Sequence, residues 1–406
     1  MLEQKEETIN QEKSTNDIFP DDHKYLTFLK KVFRHEFRKN GFRRISTDIL
    51  EDGKFRKNAE LWIMNAYLNN NISEEIQPVY YYYMDHFLWK DNKQIERIGW
   101  EVIWENDAIL DAISIYITYT VLNQIWLKDT FKIKVNSTGI EKEKVKYSEE
   151  LQSFYENKKH MLSENSLSLL ETNPMLLLAS KDEDEEIIAK QAPSIIKFLK
   201  KDSKAHYAKF KEYLDILEIP YEEDHTLVSE NDYSTNSIWK FEWNSWEDIG
   251  WGARYNKLAT KLWNPKDIPA TWFYNNIFVI MQMLKDRNIK LKNKDEIDLF
   301  FVQLWDEAKA VVLPLSLAAR KAWINTVVSL WTPSMKEQML KANRSNAKFV
   351  VLVWLMEARN GIFQVKDIVA GTQEEVKKEE LIDYIIWKIG SDKLDFYVPT
   401  NDLITE

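Results

Sequence analysis

The stretch DIGWGARYNKLATKLWNPKDIPATWFY, Asp248 to Tyr274, decides how the rest of the chain is read. An Arg-Tyr pair (Arg254, Tyr255) sits between glycines and a helical run, and Pro269-Ala270 then leads into an aromatic segment. Around it lie 406 residues, long for one domain and comfortable for two, with 44% hydrophobic residues to fill a core. No run approaches 18 consecutive apolar residues and the first residues form no apolar leader, so the composition predicts a cytoplasmic protein with no membrane partner. The absence of cysteine excludes disulfides, thiolate nucleophiles and zinc-thiolate sites. The six histidines (His23, His35, His86, His160, His206, His225) lack an i, i+4 ligand pair, so no metal site is expected. A net charge of -10 argues against nonspecific nucleic-acid binding. A local basic face is still present: Lys30, Lys31, Arg34, Arg38, Lys39, Arg43 and Arg44 accompany Leu26, Leu29, Phe33 and Phe37, whose spacing predicts an amphipathic helix ending at Asn40-Gly41.

The quoted stretch resembles the histidyl-tRNA synthetase family, in which GG-x-R-Y-D-x-L is followed some twenty residues on by P-A-x-G-F and motif 3 of the class II core. The resemblance continues in both directions. Phe55 to Ile72, FRKNAELWIMNAYLNNNI, lines up on the family's LRPEgTaGvvRa and the helix after it. Pro78 to Met84 matches the strand entering motif 2, and Lys93 to Trp104 the return strand. LVSENDYSTNSIWKFE, from Leu227, begins in register with LVRGLDYYtrtvFE. The implied fold is an α+β class II core, an antiparallel sheet with flanking helices and a helical insertion, followed by a C-terminal α/β domain. The expected organisation is a disordered tail 1–20, a core 21–286 with a helical region about 141–215, a linker 287–295, an anticodon-binding-like domain 296–392 and a tail 393–406. In the last domain strands alternate with helices: strands at Ile297–Leu304, Ile324–Leu330, Lys348–Trp354 and Ile362–Ile368, helices at Ala308–Ala322, Ser334–Ser345 and Gln373–Ile389, and a turn at Ala358–Gly361. That order predicts a largely parallel sheet. SMKEQMLKANRSNAKFVVLV and EARNGIFQVKDIVAGTQEEV carry the resemblance there.

Carried over residue by residue, the family's chemistry is eroded. Its histidine-binding glutamate is Asn58, the neighbouring threonine is Glu60, and the three arginines of motif 2, the substrate loop and motif 3 are Leu88, Ser229 and Val279. No confident catalytic residue results. The pocket positions that remain are Arg56, Arg97 (in place of a glutamine), Glu101, Asp232, Tyr233 and Arg254. Arg97 and Glu101 stand four apart on one strand, hence on one face, where a pair between them would consume the carboxylate that the substrate's amino group needs. The function expected is a catalytically impaired synthetase-like protein retaining tRNA or protein binding, a pseudoenzyme without cofactors. An active histidine-tRNA ligase, which would need ATP and Mg, is the first alternative, and a regulatory subunit of ATP phosphoribosyltransferase the second. The class II resemblance implies a homodimer through the region containing the opening helix.

One compositional anomaly cuts across all of this. At about 7% glycine a chain of this length would hold roughly 28; it holds 9, beside 16 tryptophans. Trp62, Trp104, Trp126, Trp251 and Trp272 all fall on family glycines. The pattern fits a gene in which UGA is read as glycine.

Overall fold

The computed structural model describes residues 20–46, 50–51, 54–55, 58–88, 94–244, 247–291, 297–329 and 334–390. The tail 393–406 and all but the last residue of 1–20 lie outside them. The chain divides between Leu291 and Lys292 into two compact units. The first runs α1 Pro20–Lys39, β1 Arg43–Arg44, β2 Leu50–Glu51, β3 Lys54–Phe55, α2 Ala59–Asn69, β4 Val79–Leu88, β5 Gln94–Ile103, α3 Ile109–Gln124 and β6 Lys132–Gly139. It continues with α4 Glu141–Glu156, α5 Glu164–Thr172, α6 Glu183–Ala189, α7 Lys201–Ile216, β7 Glu222–Glu223, β8 Thr235–Asn244, β9 Glu247–Arg254, α8 Leu258–Lys261, β10 Ala270–Asn276 and α9 Ile277–Asp286.

Eight strands form one sheet in the order β1-β4-β5-β10-β9-β8-β6-β7, antiparallel except for the parallel pairs at its two ends. Because strand side chains alternate, each face has its own core. Tyr82, Trp100, Trp239, Phe241 and Phe273 pack with the helices α1, α3, α7 and α9. Tyr81, Tyr83, Ile238, Trp272 and Tyr274 pack on the other face with α2 and α8. Gly99 is required between these layers: a Cβ there would stand 2.3 Å from Tyr83 Cζ and 2.8 Å from the Phe273 carbonyl oxygen. The opening helix follows its pattern, with Leu29, Phe33 and Phe37 fully buried and Gly41 left-handed just past its end. These side chains are spent inside the single chain, so a dimer would use other surfaces of that region.

The helical region α4 to α7 has a separate small core around Tyr147, Leu151, Tyr155 and Leu170. The acidic run there is a helix start: Asp182 accepts from the Asp184 and Glu185 amides, while buried Glu185 accepts from Ser166 Oγ at 2.7 Å and from the Ser163 amide at 2.8 Å. Of the proposed linker, residues 287–291 pack with the first unit, where Ile289 and Leu291 lie on its main core. Residues 292–296 lie outside the described residues.

The second unit contains β11 Leu299–Gln303, α10 Trp305–Lys321, β12 Thr326–Val328, α11 Met335–Arg344, β13 Phe349–Val353, α12 Leu355–Asn360, β14 Ile362–Asp367, β15 Thr372–Lys377 and α13 Leu381–Ile389. Its sheet order is β12-β11-β13-β14-β15. The expectation of a largely parallel sheet is corrected: β12, β11 and β13 are parallel, but β14 and β15 run antiparallel. The helix expected from Gln373 starts only at Leu381. Left-handed Gly371 turns the chain back on β14, and Val376, opposite Phe363, is the one buried apolar side chain of β15. A single valine among charged residues has no period to read. The expected turn at Ala358–Gly361 is the end of α12, closed by left-handed Gly361. The K-x-Q of the SMKEQMLKAN stretch (Lys336 to Gln338) has a physical role, because the buried Gln338 amide clasps the backbone of Gln303, accepting from its N–H at 3.0 Å and donating to its carbonyl at 2.6 Å.

Candidate functional site

The face of the sheet bearing α2 collects most of the pocket positions. Register places Tyr81, Glu101, Trp272 and Ala253 side by side across β4, β5, β10 and β9, and Tyr83, Gly99, Tyr274 and Trp251 in the next row. Over this floor, Tyr233 donates to Glu60 at 2.6 Å and accepts from Asn58 Nδ2 at 3.1 Å, and Asn231 Nδ2 reaches Glu60 at 3.2 Å. Glu60 is buried, and burial raises its carboxyl above the ordinary value against the pull of these bonds and the nearby Arg97 charge.

Glu101 is fully buried and accepts a short hydrogen bond from the Tyr255 hydroxyl; its other oxygen has no hydrogen-bond partner among the described residues. Burial pushes its carboxyl well above the usual range. The expected Arg97–Glu101 pair is not formed. The Arg97 guanidinium instead lies 4.1 Å from the Tyr274 ring centroid and 5.6 Å from that of Phe87, a cation held by aromatic faces. Four residues of extended strand set the two Cα atoms roughly 13 Å apart, and the Tyr274 ring takes the guanidinium while Tyr255 takes one of the two Glu101 oxygens.

A glutamic acid that keeps its proton in the folded chain, while the unfolded chain ionises above about pH 4.5, makes stability fall as pH rises between those two values. Glu101→Gln should remove this component. Its stability relative to the parent chain should improve from about pH 5 to about pH 8, measured by urea unfolding at both; an unchanged difference would show the carboxyl to be ionised.

The remaining positions are placed as follows. Ser229 is tied to Ser234 by a 2.7 Å hydroxyl contact. Asp232 is mostly exposed and pairs with Lys261. Val279 sits on α9, half-buried against the core of the opposite face. Leu88 ends β4, and nothing is described of its side chain. Arg56 lies outside the described residues. Arg254 does not reach the pocket: fully buried, it binds Asp111 at 2.7 Å and the carbonyls of Glu105 and Asp107 at 2.7 and 2.8 Å. Alternation along β9 sends Ala253 and Tyr255 to the site face and Arg254 to the other.

Beside the loop of Ser229 to Asp232 is a cavity of 310 Å³, bounded by β6 and α4. Lys144 on its wall donates to the carbonyls of Asp232 and Ser234, and burial brings its amine down to about 8. Sequence reading missed Tyr255 and Lys144 as site groups, since each is defined by a partner about 90 or more residues away. Among the described residues no three metal-ligating side chains cluster and no helix is long and apolar enough to cross a membrane.

This sheet, its flanking helices and the second α/β unit define a class II aminoacyl-tRNA synthetase core with a C-terminal domain. No protein-family model matches the chain. It is 29% identical over 330 residues to a histidine-tRNA ligase of Halothermothrix orenii, covering 79% of this chain and 78% of the relative. It is 27% identical over 418 aligned positions to a histidine-tRNA ligase of Thermotoga petrophila, covering 94% and 99%. The crystal structure of apo S. aureus histidyl-tRNA synthetase superposes with a TM-score of 0.74 at 25% identity, over 92% of this chain and 98% of that one. In sequence and in fold the chain is similar to the histidyl-tRNA synthetase family.

Proposed function

We propose that this chain is a synthetase-derived binding protein that does not activate histidine and retains affinity for tRNA. The observation carrying this reading is the replacement of three cationic positions by Leu88, Ser229 and Val279. Amino-acid activation develops charge at the α-phosphate of ATP and needs positive groups or a metal there. The groups around Glu60 and Glu101 do not fit a magnesium nucleotide: both carboxyls are buried and shifted toward the protonated form, and each already accepts from a tyrosine. The relatives are named as histidine-tRNA ligases, which keeps ligase activity as the second reading. A homodimer, as in the class II core, is part of the proposal.

The C-terminal unit supports the binding side. Its K-x-Q clasp is intact, and Lys336, Lys341 and Arg344 are exposed along α11. tRNA affinity should reside there and weaken steeply as salt rises, because phosphate contacts release counterions. Retention on immobilised tRNA without aminoacylation is the expected result for the full chain. A protein ending at Lys294 should lose that retention; equal binding by the truncated chain would refute the assignment, and capture of a protein in place of tRNA would redirect it.

A further inference from the structure

We propose that the protein made in its own cell carries glycine, not tryptophan, at positions 104, 126, 263, 305 and 323. All five have left-handed backbone, with φ of 83°, 64°, 68°, 69° and 63°. A bulky L side chain is an outlier there, whereas glycine pays no steric penalty. Among the described residues, the other non-glycine residues with positive φ are four asparagines, one aspartate and one glutamate, types most of which tolerate that region.

Three of the five close helices with the same bond pattern. After α3, the amide of Trp126 donates to the Asn123 carbonyl at 3.3 Å and that of Leu127 to the Leu122 carbonyl at 2.9 Å. After α8, Trp263 donates to Thr260 at 3.2 Å and Asn264 to Ala259 at 3.0 Å. After α10, Trp323 donates to Arg320 at 3.0 Å and Ile324 to Ala319 at 3.0 Å. This paired closure is the C-terminal cap whose left-handed position is usually glycine. A true glycine, Gly41, fills it after α1 with bonds of 3.2 and 3.0 Å. Packing offers no compensation at Trp263, which is 94% exposed. By contrast Trp100 and Trp239 are fully buried and lie 4.7 and 6.2 Å from the Phe273 ring, where an indole fills the core. These seven tryptophans thus fall into two populations, as expected if UGA encodes glycine and UGG tryptophan.

The same decoding at Trp251 and Trp272 would remove two indoles from the site face beside Glu101 and Tyr274, opening space there. It leaves Leu88, Ser229 and Val279 unchanged, so the inference stands or falls apart from the proposed loss of activation. The test is peptide mass spectrometry of the protein purified from the cells that encode it, read with the gene's codons. Glycine at the five positions on UGA codons, with tryptophan at 100 and 239 on UGG, is expected; tryptophan in the native peptides at 126, 263 and 323 would overturn it. A second measurement uses the tryptophan-bearing chain. Trp263→Gly should raise its melting temperature by roughly 2–4 °C, while Trp239→Gly lowers it; no gain at 263 would count against the proposal.

Discussion

Histidine-dependent exchange of pyrophosphate into ATP is expected to fall at least roughly 10³-fold short of that of an arginine-bearing family member. Removing one preorganised donor from a site of developing charge usually costs about 10² to 10³ in rate, and groups acting as a unit do not add. On the proposed reading three positions are changed together, at Leu88, Ser229 and Val279, and the two whose side chains are described have other engagements. Ser229 is bonded to Ser234, and Val279 packs with the core on the far side of the sheet. The substrate's side of the pocket is also committed: Glu101 is bound by Tyr255, and Glu60 by Tyr233 and Asn231. Free histidine should therefore show no micromolar binding by calorimetry. The effect survives decoding of tryptophan as glycine, since none of the three positions is a tryptophan. Exchange within tenfold of a family member, measured on either form, would end the reading of this chain as inactive.

The second large effect is on stability. Asp111→Asn should destabilise the first unit by about 3–5 kcal/mol, because it leaves the Arg254 guanidinium buried without its counter-charge. Both side chains are fully buried; Arg254 Nε and Nη2 approach Asp111 at 3.1 and 2.7 Å, and His206 Nε2 lies 2.8 Å from the same carboxylate. Burial alone would raise the Asp111 carboxyl, but the Arg254 charge and the His206 contact outweigh it and hold the carboxyl below its ordinary 3.8. A depressed folded value contributes stability that is present above the unfolded pKa and lost as the pH falls through the folded one. The parent chain should accordingly lose this contribution only below about pH 4, and the asparagine variant should lack that acid limb. Urea unfolding of Asp111→Asn, Arg254→Met and the double variant checks the pairing, with the double losing less than the sum of the singles. Additive losses would show that the two side chains act separately.

The sequence by itself determined the architecture. Helical and strand periods, the Arg254-Tyr255 stretch and the synthetase-like segments sufficed for the core and the second unit, because hydrophobic period and turn chemistry are local properties. The proposed replacement of cations at Leu88, Ser229 and Val279 also rests on residue type alone, which no fold changes. Only the tertiary structure decided who partners whom. Alternation along β9 tells that Arg254 and Tyr255 point to opposite faces, but not which face holds the site; packing sent the arginine to Asp111 and the tyrosine to Glu101. Arg97 and Glu101 were legible as residues of one strand face, yet a residue 154 positions from Glu101 bonds one of its oxygens, and Tyr274 offers the guanidinium a ring. The glycine deficit was visible in composition, but which tryptophans bear it depended on backbone sign, a property set where each helix or strand must turn.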